Sequence, residues 1–193
     1  MTTEVSLERI YTIEEFMDLP DDGPGYELVR GRLQRMSPTG GEHGQITVAL
    51  TYYLTAYVWE HDLGDVFAAE TAFVLNPVTR DVRGPDVGFV ARARLDEVGA
   101  GAVPFPPDLA VEVLSPSDIL REVRAKVADY QQAGVPLVWV VNPRRQTVAV
   151  YHPADTAPAT LGVDATLDGE EVVPGFTLAV RAVFERRRSA PHH

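Results

Sequence analysis

The chain has 193 residues, 45% of them hydrophobic, with a formal net charge of −11, which is the profile of one soluble domain large enough to bury a core. It has no cysteine, which excludes disulfides, thiolate zinc sites and cysteine nucleophiles, and no apolar run approaches the ~18 residues of a transmembrane helix. The acidic balance counts against duplex nucleic acid as a first partner, because that affinity comes largely from Lys and Arg.

Basic residues cluster locally at Arg30, Arg32 and Arg35, at Arg121 and Arg124, at Arg144 and Arg145, and at Arg186 to Arg188. Met1 to Glu8 is polar and acidic, unlike a signal peptide, so a cytoplasmic location is the default expectation. A single domain over 1–193 is expected.

Thr12-Ile13-Glu14-Glu15 is a capping box that starts a short helix through Phe16 to Leu19. Pro20 to Gly25 is a breaker-rich turn. Tyr26 to Val29 and Arg32 to Met36 read as a hairpin turning at Arg30-Gly31, followed by a loop over Ser37 to Gly41. From His43 to Glu60, Ile46, Leu50, Leu54, Tyr57 and Val58 recur at helical steps, and Gly64 ends that segment. Val66 to Leu75 reads as a strand, residues 76 to 84 as a turn, and Asp86 to Ala91 as a second strand. A Gly- and Pro-rich loop spans Gly99 to Pro107.

Leu109 to Leu114 is apolar on both faces apart from Glu112, as in a central strand. The spacing then predicts a helix from an N-cap at Ser115, with Pro116 first and Asp118 at N3, through to Ala133 with Gly134 as the stop. Val135 to Val141 and Gln146 to His152 read as a hairpin around Asn142-Pro143. Leu161 to Phe184 reads as short strands forming a C-terminal β extension, and Glu185 to His193 as a frayed tail. The order predicts an α/β (mixed α+β) fold with a central mixed sheet flanked by helices.

Three residues stand out against this pattern. Asp86 opens one apolar run, Glu112 interrupts another, and Lys126 falls on the stripe formed by Ile119, Val123, Val127 and Tyr130. Buried charges are costly unless paired or bound to metal. If the helix folds back along the strand, Glu112 lies about 10 Å from Ser115 at strand rise. Lys126 lies about 15 Å past Pro116 at helix rise, and its side chain leans back toward the N-terminus. If the segments of Asp86 and Glu112 pair antiparallel, their carboxylates converge. Two carboxylates with backbone oxygen and water suit Mg²⁺ or Mn²⁺, and an adjacent ammonium can orient water or stabilise developing charge. Glu27, Glu70 and His43 are accessory candidates. Tyr130 and Trp139 read as core.

Pro85-Asp86, then Glu112, then a lysine, resembles the PD-(D/E)XK nuclease superfamily. The wider series is Tyr26 to Gly31, Ser37-Pro38, His43-Gly44, Pro85-Asp86-Val87, Pro107 to Ser117, Lys126 with Tyr130, and Ala133 to Pro136 through Trp139 to Pro143. In that order it resembles the Uma-type restriction-endonuclease family, from about Tyr11 to Phe184. The resemblance implies a restriction-endonuclease-like core over about 26–152 and a Mg²⁺-dependent endonuclease acting on DNA. It also implies Asp86 and Glu112 as metal ligands, with Lys126 as the catalytic lysine carried on the helix. In the parent superfamily that lysine lies two residues after the acid, where this chain has Leu114, on the same strand face as Glu112. A homodimer suits cleavage of both strands of a two-fold duplex. The competing readings are a non-catalytic interaction module that kept the fold, and a phosphodiesterase acting on another nucleotide substrate.

Overall fold

A computed structural model describes residues 5–20, 25–36, 38–116 and 118–185. The first elements are α1 (Ile13–Met17), β1 (Tyr26–Val29), β2 (Arg32–Arg35), α2 (Gly41–Glu60), β3 (Gly64–Ala68), β4 (Phe73–Asn76), β5 (Asp81–Arg83) and β6 (Val87–Ala91). A 3₁₀ turn over Arg92–Glu97 precedes β7 (Leu109–Val113), α3 (Leu120–Gln132), β8 (Leu137–Asn142) and β9 (Thr147–Tyr151). The chain closes with β10 (Ala159–Leu161), β11 (Thr166–Asp168), β12 (Thr177–Ala179) and α4 (Val180–Phe184).

The main sheet has six strands in the order β10-β9-β8-β7-β6-β3, with β7 and β8 parallel and the other pairs antiparallel. A second sheet of four strands runs β2-β1-β5-β4. The expected mixed sheet flanked by helices is therefore present. Strand alternation sends Leu109, Val111 and Val113 to one face, where they pack with Ile46, Leu50, Leu54 and Val58 of α2. Ala110, Val138 and Val140 face the other way, against Val127 and Tyr130 of α3. Leu50 and Leu54 are fully buried, each contributing about 2 kcal/mol. Glu112 lies on the α3 face, in the position where alternation would otherwise put an aliphatic.

The Thr12 capping box forms, with the Thr12 hydroxyl accepting from Glu15 N and the Glu15 carboxylate accepting from Thr12 N. The first hairpin turns where expected, through Arg30 at φ 50° and Gly31 at φ 74°. The Ser37 part of the expected loop, residues 21–24 of the breaker-rich turn, and the expected tail over residues 186–193 lie outside the described residues.

Four expectations are corrected. The strand expected over Val66 to Leu75 is two strands in different sheets: β3 pairs with β6, and β4 pairs with β5. The break falls at Glu70, whose φ of 72° turns the chain out of extended geometry. The turn expected over residues 76 to 84 contains β5. The helix expected from Ser115 begins at Leu120, with Ile119 still extended at its cap. Here Asp118 accepts from both Ser115 N (2.7 Å) and Ser115 Oγ (2.8 Å), so the capping residues close a separate turn. Ile119, expected on the apolar stripe, is consequently exposed. Finally, the C-terminal region ends in the short helix α4, whose Val180 and Val183 join the same core as α2.

Candidate active site

The β6–β7 register pairs Val87 with Val111 and Gly88 with Ala110, which sets Asp86 beside Glu112 at the next step. Asp86 Oδ2 accepts from Val113 N at 2.7 Å and lies 3.1 Å from His43 Nε2. His43 sits in the first turn of α2 and is buried. Its pKa is raised, chiefly by the hydrogen bond to Asp86. Among the described residues both hydrogen-bond contacts of Asp86 fall on Oδ2, and the residue lines the site cavity.

Glu112 is held from α3 by two donors one turn apart. Lys126 Nζ donates to Glu112 Oε2 at 2.9 Å, and Tyr130 OH donates to Oε1 at 2.6 Å. The later helix start shortens the reach: Lys126 is six residues past Leu120, about 9 Å at helix rise. Burial pushes the Glu112 carboxyl up to about 7, with Asp86 and Glu27 adding repulsion and Lys126 and Tyr130 opposing it. Burial works against the charge of Lys126, but Glu112 and Glu27 outweigh it and raise its pKa. Burial also raises Tyr130, which therefore stays a donor.

Glu27, on β1, joins the same cluster. Its Oε1 lies 3.1 Å from Lys126 Nζ and accepts from Gly84 N at 3.1 Å, while Oε2 accepts from Arg83 Nη1 at 2.6 Å. Arg83 also donates from Nη2 and Nε to Asp129 Oδ2, at 2.5 and 3.2 Å. A cavity of about 160 Å³ is lined by Glu27, His43, Arg83, Asp86, Glu112 and Lys126. Glu70 takes no part in this cluster. It is exposed in the turn between β3 and β4, and it lines a groove of about 910 Å³ along α2 that meets the site cavity at Met36, Thr39, His43 and Asp86.

Sequence reasoning missed Arg83 and Asp129, because β5 was read as turn and a surface-type residue drew no attention there. Tyr130 was read as core; it is core, but its hydroxyl also serves Glu112. One signal was available. Lys126 is the only lysine among 17 Lys and Arg residues, so each of the other sixteen is a guanidinium.

The structure resembles a crystal structure of "a putative nuclease belonging to DUF820" from Anabaena variabilis ATCC 29413. The TM-score is 0.77 at 21% identity, over 90% of this chain and 97% of that one. The likeness shows that the two chains share a fold. A family model, Uma2, described as "Putative restriction endonuclease", matches residues 13–181; the chain belongs to the Uma2 family. No curated protein matches it significantly. Among the described residues no helix is long and apolar enough to cross a membrane.

Proposed function

We propose that this protein is a divalent-metal-dependent endonuclease that hydrolyses DNA phosphodiester bonds. The observation that carries the reading is the placement of Asp86, just before β6, beside Glu112 on β7, with the chain's only lysine on Glu112. The donor set suits a hard cation. Among the described residues no group of three His, Asp or Glu side chains is arranged to hold a metal ion, and Mg²⁺ is commonly held by one or two carboxylates with water and substrate phosphate completing the shell. The mutual repulsion that helps raise Glu112 is what a cation between the two acids would relieve.

In this reading Asp86 and Glu112 hold Mg²⁺ or Mn²⁺. When bound, such an ion polarises a phosphoryl oxygen and lowers the pKa of its water. Asp86 is aimed by Val113 N and His43. Tyr130 fixes the Glu112 rotamer. Lys126, beside Glu112, orients the attacking water or stabilises charge on the phosphate. Arg35 lines the same cavity and Arg144 an adjacent hollow, which offers local cations to phosphate on a chain of net charge −11. A homodimer would bring two such centres to the two strands of a duplex.

The test is incubation of the purified protein with plasmid and Mg²⁺ or Mn²⁺, beside Asp86→Asn and Glu112→Gln. Metal-dependent cutting that both variants abolish supports the proposal; cutting that persists equally in both removes the site. DNA binding without cutting would favour the interaction module, and sedimentation would decide the dimer.

A further inference from the structure

We propose that Arg83 is a positioning residue for Lys126, acting through Glu27. Five charged side chains meet in one array, buried at Glu27, Arg83 and Glu112 and half-buried at Lys126 and Asp129: Glu27, Glu112 and Asp129 are the acids, Lys126 and Arg83 the cations. The Arg83 and Glu27 side chains are only 4% and 6% exposed. Lys126 Nζ stands between two carboxylates, 2.9 Å from Glu112 Oε2 and 3.1 Å from Glu27 Oε1. Which acid keeps the ammonium depends on how well each acid is satisfied by others. Glu112 has Tyr130. Glu27 has Gly84 N on the oxygen facing Lys126 and Arg83 on the other.

Without Arg83, the Glu27 charge would rest on Lys126 and one peptide N–H. A buried carboxylate in that state draws the nearest cation, and the ammonium would shift from Glu112 toward Glu27. Arg83 also bridges to Asp129, three residues after Lys126 on α3, so its planar guanidinium joins β1 to the helix turn that carries the amine. A lysine could not make both contacts with fixed geometry. The same array reaches the other acid of the site, because Gly84, held by Glu27, is two residues before Asp86.

The inference rests on the nuclease reading only for its catalytic consequence, and the chain's single lysine allows the two to be tested apart. The experiment uses full-length protein in four forms: wild type, Arg83→Met, Glu27→Gln and the double variant. Lys126 is labelled with an amine-specific acetylating reagent, and the product is read by peptide mass spectrometry against the N-terminal amine as internal standard. Near-ultraviolet circular dichroism confirms the fold of each form.

Arg83→Met should slow Lys126 acetylation about fivefold, because the amine is then drawn off Glu112, whose side chain is 11% exposed, toward Glu27, which is 6% exposed, and away from the reagent. Glu27→Gln should speed it, and the double variant should match Glu27→Gln, as a path through Glu27 requires. Equal labelling in wild type and Arg83→Met, or effects that simply add in the double variant, would overturn the proposal. If Arg83→Met does not fold, Asp129→Asn with and without Glu27→Gln supplies the same cycle. A labelling change that persists in the absence of the Glu27 charge, or no change at all, is then the negative result. Where the wild type cuts DNA, Arg83→Met should lower kcat about tenfold with KM unchanged. Where it does not cut, the nuclease reading fails and the labelling cycle still decides the role of Arg83.

Discussion

Val113 N donates to Asp86 Oδ2 at 2.7 Å across the β6–β7 pair. The carboxylate of Asp86 thus takes a hydrogen bond from the residue next to Glu112, and the two acids are coupled through one peptide unit. A change in the pairing of β6 with β7 would move both acids at once.

This coupling predicts how divalent ions bind. Mn²⁺ titrated into the wild type by calorimetry should give one site per chain. Asp86→Asn and Glu112→Gln should each weaken binding by about tenfold or more, since each removes a charged oxygen donor. His43→Ala, which keeps both acids but removes a hydrogen bond to Asp86, should weaken it less than either. Equal affinity in wild type and Glu112→Gln would move the ion elsewhere.

Removing the ammonium should cost stability as well as any activity. Lys126→Met leaves Glu112 and Glu27 facing each other in a buried setting, for which loss of one partner costs about 3 kcal/mol. Urea denaturation should show that loss, and Glu112→Gln added to Lys126→Met should recover part of it. If the double variant is less stable than Lys126→Met, the ion pair is not what the lysine contributes.

Gly64 tests the sheet edge that places β6. A Cβ there would lie 2.1 Å from Val90 O, on a backbone φ of 153°. The contact is with a paired strand and cannot relax by a side-chain rotation. Gly64→Ala should therefore destabilise the protein by about 3 kcal/mol, whereas Gly99→Ala, where nothing lies within 4 Å, should change the melting temperature little.

His152 gives the pH dependence. Its Nδ1 lies 2.8 Å from Asp155 Oδ2 and its Nε2 lies 2.8 Å from Glu170 Oε2. Glu170 first, and then Asp155, raise its pKa. A raised folded-state pKa adds stability that is present below the unfolded value of 6.5 and is lost as pH rises through the folded value. The side chain is 40% exposed, so solvent screening keeps the effect under about 1 kcal/mol. The melting-temperature gap between wild type and His152→Gln should be largest near pH 5.5 and close by pH 8.5. A gap independent of pH would show that the imidazolium contributes nothing.

Much of this architecture was legible before any coordinates. The 3.6-residue recurrence from Ile46 to Val58 marks a helix with one buried face, and the apolar runs of β7 and β8, broken in β7 only by Glu112, mark central strands. Glu112 was conspicuous because a charge inside such a run has no cheap place to go. Less legible were the ends and breaks. Asp118 serves equally well as a helix cap or a turn closer, and local sequence does not say which. The β3–β4 break depends on two sheets competing for one extended segment.

Local pattern, then, was enough to mark the strands, the long helix, and three charges too costly to be accidental, because periodicity and desolvation act on each segment where it stands. The partners of those charges came from elsewhere in the chain: α2 supplies His43 to Asp86, and β1 supplies Glu27 to Lys126, itself held by Arg83 from β5. Only folding decides that, since ion pairing depends on separation in space, and residues 27, 83 and 126 become neighbours only once two sheets and a helix have packed.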